Sequence, residues 1–164
     1  NATPILSFGI TSFTFLVVSS PSESTKLLRF INLGNVSFEN ANVEVLGSIK
    51  PYLNASVCDI NVERCKTTNI NLKAGESAFL RLYGTIPEKT PSGIDGLVRL
   101  KEDKENGKVF ELPVEISRPP LYNNLALPIA ETFDLPDMVA IPLAIFLFVA
   151  TIGAGFYTMI TLIK

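Results

Sequence analysis

Ser77 to Tyr83 reads SAFLRLY, which places Ala78, Leu80 and Leu82 on one face and Phe79, Arg81 and Tyr83 on the other. Period-two alternation is the mark of a half-buried strand, because successive side chains of an extended backbone point to opposite faces. Thr85-Ile86-Pro87 closes the strand, since proline brings no N–H to a ladder. Downstream, Gly93 to Leu100 and Val109 to Ile116 read as the arms of a hairpin. Its tip is Lys101 to Lys108, KEDKENGK, with Asn106-Gly107 as the turn signal. Upstream, Lys26 to Leu33 (KLLRFINL), Asn42 to Leu46 (NVEVL) and Thr67 to Leu72 (TTNINL) are further strands. Gly34-Asn35 and Lys73 to Glu76 supply turns between them. Pro4 to Val18 reads as one strand, broken near Gly9 where it switches sheets; the alternative is a segment lying at a membrane interface. About seven strands, turn signals every 8 to 12 residues or so and no helical periodicity predict an all-β, antiparallel sandwich of immunoglobulin-like type.

A second kind of sequence follows. Met138 to Ile163, MVAIPLAIFLFVATIGAGFYTMITLI, has no charged residue. About 20 apolar residues at 1.5 Å each cross the ~30 Å hydrocarbon core of a bilayer, so this stretch predicts one C-terminal transmembrane α-helix. The expected organisation is a sandwich over residues 1–117, a proline-rich juxtamembrane linker over 118–137 and the helix over 138–163. Prolines at 119, 120, 128 and 136 argue for an extended linker. Its Leu121, Tyr122, Leu125, Leu127 and Ile129 are too apolar for a mere spacer, so part of it should lie against the domain, a partner or lipid. Asp134 or Asp137 is placed to cap the helix, and Pro142 is tolerated near its outer end.

Composition narrows the function classes. With no histidine, catalysis by Ser-His-Asp or Cys-His and metal sites built on histidine are excluded. Two cysteines cannot supply a four-thiolate metal site in one chain. No Ser-Lys or paired-carboxylate motif stands out, so the expectation is a non-catalytic protein without cofactor or small-molecule substrate. Lys and Arg total 14 against 16 Asp and Glu, too balanced a surface for binding nucleic acid. Glu102, Asp103 and Glu105 are close together in the hairpin tip but lack the alternating spacing of a calcium loop, which favours a solvated turn.

Cys58 and Cys65 are spaced to close a short disulfide loop, worth about 2–3 kcal/mol, with two free buried thiols as the alternative. Three N-x-S/T sequons begin at Asn1, Asn35 and Asn54, and the latter two fall in an expected turn and in the disulfide excursion. Asn1 is not an initiator, which points to a removed signal peptide. Along the apolar helix, Ala140, Ala144, Thr151, Gly155 and Thr158 share one face, a stripe that allows another helix to approach closely. Glu131, Asp134 and Asp137 precede the helix and Lys164 follows it. By the positive-inside rule the sandwich is then extracytoplasmic and the C-terminus cytoplasmic, in a single-pass arrangement at the cell membrane.

The order of motifs carries a resemblance. Asn32-Leu33-Gly34-Asn35 leads into NVEVL, Leu72 to Ser77 reads LKAGES before a strand, Ile86-Pro87 follows, and a Gly-led hairpin ends the domain. This resembles the NEW3/CARDB-type immunoglobulin-like modules of bacterial and archaeal envelope proteins, over roughly residues 20–117. The resemblance implies an immunoglobulin-like fold; its motifs belong to turns and strand starts and imply no activity. The cysteine-closed excursion departs from it. Together these features predict an accessory or structural subunit of a membrane protein complex, in contact with membrane lipid and with other integral membrane subunits. The alternative is a free-standing adhesion or binding protein of a cell surface or viral envelope, or an envelope-layer component.

Overall fold

A computed structural model of the chain describes residues 2–18 and 21–162, with side chains described as far as Met159. Ten strands run β1 (Leu6–Ser7), β2 (Phe13–Leu16), β3 (Ser22–Asn32), β4 (Phe38–Gly47), β5 (Leu53–Cys58), β6 (Cys65–Lys66), β7 (Ile70–Leu72), β8 (Ser77–Ile86), β9 (Ile94–Glu102) and β10 (Val109–Ser117). They form two five-stranded sheets, β1-β3-β8-β5-β6 and β2-β10-β9-β4-β7. All pairings are antiparallel except β2 with β10, which is parallel. The arrangement of the long strands is that of an immunoglobulin-like sandwich: β3, β8 and β5, flanked by the short edge pieces β1 and β6, face the sheet that carries the final hairpin.

The alternation seen in SAFLRLY does what it predicts. Ala78, Leu80 and Leu82 are buried between the sheets, while Phe79, Arg81 and Tyr83 face outward. Phe38, Val98, Leu100, Leu112 and Ile116 meet them from the facing sheet, and Phe30 joins them from the adjacent β3. The sheet switch expected near Gly9 is present. Leu6 and Ser7 pair with Asn32 and Ile31 in one sheet, and Phe13 to Leu16 pair with Val114 to Ser117 in the other. Gly9 takes φ +67°, a left-handed value that glycine adopts without penalty, and so the chain turns there.

Two features differ from the sequence reading. Residues 53–58 are a full strand, with Leu53 and Val57 in the core and Cys58 buried, rather than part of a loose excursion. Cys58 and Cys65 lie opposite one another on β5 and β6 and are joined by a disulfide, so the loop is only the tip between them. The second difference is the linker. Residues 118–137 are folded: a π-helical turn, Tyr122–Ala126, runs into α1 (Leu127–Thr132), followed after a short turn by α2 (Asp137–Leu162). The prolines do not hold the segment extended. Pro128 sits in the first turn of α1, where its missing N–H costs nothing, and Pro136 stands immediately before α2. α2 is long and apolar enough to cross a membrane over Asp137–Met159.

Register sorts the connections by end. Leu16 pairs with Ser117, Ser22 with Ile86 and Gly47 with Gly96, so the β2–β3, β4–β5 and β8–β9 connections lie at the end from which the helix leaves. The β3–β4 turn, the disulfide tip and the β9–β10 hairpin tip lie at the other.

Candidate functional site

The densest polar arrangement in the described residues is where the sandwich meets α2. Arg118 follows the last strand and is buried, as is Asp137 at the head of the helix. The guanidinium lies 3.3 Å from the Asp137 carboxylate, and both side chains are fully shielded from solvent. Arg118 Nε donates to the Thr90 carbonyl at 3.1 Å, and its backbone N–H donates to Ser92 Oγ at 2.9 Å. The Tyr122 hydroxyl donates to the other Asp137 oxygen at 2.9 Å, and the Lys89 N–H donates to this carboxylate at 3.3 Å. The guanidinium also lies 4.6 Å from the centre of the Tyr122 ring, a cation–π contact. Burial, and then the Asp137 carboxylate beside it, push the Tyr122 hydroxyl well above the usual tyrosine range, so it remains a donor. Asn123 pairs with the Ser92 backbone in both directions, and Lys89 reaches Asp134 at 2.6 Å on the surface.

A buried ion pair survives only where its charges are matched and hydrogen-bonded, because desolvating either alone costs several kcal/mol. Here the match joins three separate segments: the β8–β9 connection, the start of the linker and the first turn of α2. Lys89, Leu121 and Asp134 adopt left-handed backbone conformations, with φ of +60°, +66° and +50°. Each costs a non-glycine residue about 1–2 kcal/mol, which neighbouring contacts must offset. Below the ion pair, Tyr122 and Ala126 pack against Ile141 and Ala144 of α2, with Leu125, Leu127 and Ile129 alongside. The buried positions 137, 140, 141 and 144 recur at helical spacing and form one face of α2.

The predicted site residues are therefore divided. Ala140 and Ala144 are taken by the chain's own 122–130 segment, so they serve an internal helix contact. Thr151, Gly155 and Thr158 lie beyond it on the exposed length of α2, with the Thr151 and Thr158 hydroxyls donating to backbone carbonyls of their own helix. Asp137 occupies the first turn as expected, but its carboxylate is given to Arg118, Tyr122 and Lys89. Cys58 and Cys65 are bonded. Asn35 is exposed in its turn; Asn54 is exposed but on strand β5, opposite Tyr83, and not in a loop. Asn1 and Lys164 lie outside the described residues. Sequence reasoning passed over Arg118 and took Tyr122 only as one of the apolar linker residues, without its hydroxyl's role. The available signal was one arginine and one aspartate bracketing an apolar, proline-marked segment.

The far end carries two polar hubs. Asn32 is fully buried: its carbonyl oxygen accepts from the Ile5 and Gly34 N–H groups, and its amide donates to the Val36 and Leu72 carbonyls. Gly34 permits this, because a Cβ there would collide with the Thr3 carbonyl. Glu102, one of the acidic residues at the hairpin tip, turns inward instead of toward solvent. It accepts from the Lys108 and Glu39 N–H groups and the Lys104 ammonium. Burial pushes its carboxyl up, but these donors together hold it below the usual glutamate range. A cleft of about 550 Å³ opens beside the disulfide tip, with Val57, Ile70, Leu72 and Ala78 along its floor and Arg64 and Glu76 at its rim.

No protein-family model and no curated protein matches the sequence. Among solved structures the chain is similar to the PapD-like domain 7 of human CEP192, at 12% identity and a TM-score of 0.45 over 70% of this chain and 84% of that one. It is also similar to the CsuC–CsuE chaperone and tip-adhesin complex of Acinetobacter baumannii, at 15% identity and a TM-score of 0.40 over 76% and 61%. A family 123 glycoside hydrolase from Clostridium perfringens is matched at 12% identity and a TM-score of 0.45, over 76% of this chain and 29% of the enzyme. Likenesses at this level assign no role; by its own strand order the fold is an immunoglobulin-like β-sandwich followed by one apolar helix.

Proposed function

We propose that the chain is a single-pass, membrane-anchored and non-catalytic protein whose sandwich, outside the cytoplasm, serves as an accessory or structural subunit of a membrane protein complex. The observation that carries this reading is the sealed Arg118–Asp137–Tyr122 junction. A flexible tether would let the sandwich search for ligands, whereas this junction holds it at one attitude to the helix, as a brace or cover requires. The disulfide fits an oxidising compartment, and Lys164 after the helix fits a cytoplasmic C-terminus. Within the immunoglobulin-like class, the turn motifs favour a NEW3/CARDB-type module. Exposed Asn35 and Asn54 are the glycan acceptors this placement would use. Partner helices would dock on the uncovered stretch that includes Thr151, Gly155 and Thr158, since Ala140 and Ala144 are already covered.

The test is the native mass of the protein extracted from its own membrane in mild detergent. The subunit reading expects stable co-purification with other integral proteins, weakened by Thr151→Leu with Gly155→Leu while the sandwich stays folded. A monomer indifferent to those substitutions would overturn it. That result would favour the second reading, a free-standing surface binder, for which the cleft beside the disulfide tip is the supporting feature.

A further inference from the structure

We infer that the helix end of the sandwich is seated in the headgroup boundary of the bilayer, with Phe133, Leu121 and Met138 inserted among the lipids, so that the hydrocarbon core begins about two turns into α2. This rests on the membrane reading above and adds to it a second contact with lipid, made by the folded segment before the helix.

Three observations converge on it. On α2 the face formed by Asp137, Ala140, Ile141 and Ala144 is buried by the 122–130 segment, while Met138, Val139 and Leu143 on the other side remain exposed. Phe133 is 69% exposed in the turn leading into α2, and Leu121 is exposed at the start of the π-helical turn. Left-handed backbone at Leu121, and at Asp134 next to Phe133, shapes the two turns that present these side chains on the surface. Leu16 and Val18, at 69% and 59% exposure, are at the same end, since Leu16 pairs with Ser117 next to Arg118. An apolar collar of this kind, continuous with the exposed surface of a helix suited to lipid, is poorly placed in water.

Length supports the same level. From Ile145 to Leu162 the rest of the helix spans about 27 Å at 1.5 Å per residue, close to the hydrocarbon thickness. The covered turns and the collar then fall at the headgroups, where aromatic and amphipathic side chains are favoured. Exposed charges at this end are Glu23, Glu88, Asp95, Glu131 and Asp134, against Lys50 and the half-buried Lys89, which is itself engaged by Asp134. An acidic fringe rules against recruitment by anionic headgroups, so the contact is apolar insertion and neutral lipid suffices.

The chain contains no tryptophan, so a single introduced one reports its own surroundings. The full chain would be reconstituted in neutral phosphatidylcholine vesicles carrying bromine either near the headgroup or near the chain ends. Three variants are compared: Phe133→Trp, Phe156→Trp near the middle of the uncovered helix and Ile60→Trp at the disulfide tip. The inference expects Phe133→Trp to lose emission chiefly to shallow bromine, Phe156→Trp chiefly to deep bromine, and Ile60→Trp to neither. Quenching at position 156 with none at 133 overturns the collar and leaves the membrane span standing. A blue-shifted but unquenched signal at 133 also overturns it, and points to a protein partner or second copy covering that surface. Absence of quenching at both 133 and 156 would overturn the membrane reading itself.

Discussion

The two ends of the sandwich use buried polar groups differently. At the far end, Asn32 and Glu102 serve the sandwich alone: one joins β1, the β3–β4 turn and β7, the other closes the hairpin tip against β4. Their partners are mostly backbone groups, part-buried except for the buried Leu72 carbonyl. At the helix end, Arg118 and Asp137 join the sandwich to a different element, through opposite charges that neither segment could bury alone. Loss of a far-end hub should therefore weaken the sandwich as a whole. Loss of the helix-end pair should release the helix from a sandwich that stays folded.

The strongest way to break this contrast is Asp137→Ala, which leaves the Arg118 charge buried without its partner and is expected to cost about 3–5 kcal/mol at the junction. Limited proteolysis should open the 118–136 segment while the sandwich keeps its strand signature. Concerted melting of both would remove the distinction. Next comes Asn32→Ala, which takes the partner from two part-buried N–H groups and from the Val36 and Leu72 carbonyls; a loss of about 3 kcal/mol in sandwich stability is expected by chemical unfolding. Replacing both cysteines by serine should lower stability by about 2–3 kcal/mol, seen as an earlier denaturation midpoint with the junction unaffected.

Glu102 sharpens the comparison through pH. Its carboxyl is held below its unfolded value, so the unfolded state binds more protons as the medium turns acid. The stabilisation is present above the ordinary glutamate pKa and is lost as pH falls through the lower folded-state value. Unfolding midpoints of the parent and Glu102→Gln should converge in acid and differ near neutrality, by about 1 kcal/mol for a charge-assisted bond. The smallest effect belongs to Lys89→Ala. Its pairing with Asp134 lies in solvent, and no measurable change in melting is expected, which would separate this surface contact from the sealed pair behind it.

Much of the fold was legible because strand periodicity is local: SAFLRLY displays its inward and outward faces in seven consecutive letters, and Gly9 marks the sheet switch by being the residue that turns there. Residues 53–58 were harder. LNASVC alternates weakly, and its burial comes from pairing with β8, which lies far along the chain. In the linker, proline has two readings, an extended chain or the first turn of a short helix, and only contact with α2 selects the second. The small-residue stripe was visible as a face of α2, but its occupant was not.

By itself the amino-acid order determined a β-sandwich, a disulfide pair and an apolar helix, since each is written in spacing over a few neighbouring residues. Tertiary structure alone decided that Arg118 meets Asp137, that Ala140 and Ala144 are covered from within the chain, and that Glu102 turns inward. These depend on segments brought together by folding. A charge becomes either a solvated surface group or half of a buried pair only when its surroundings exclude water.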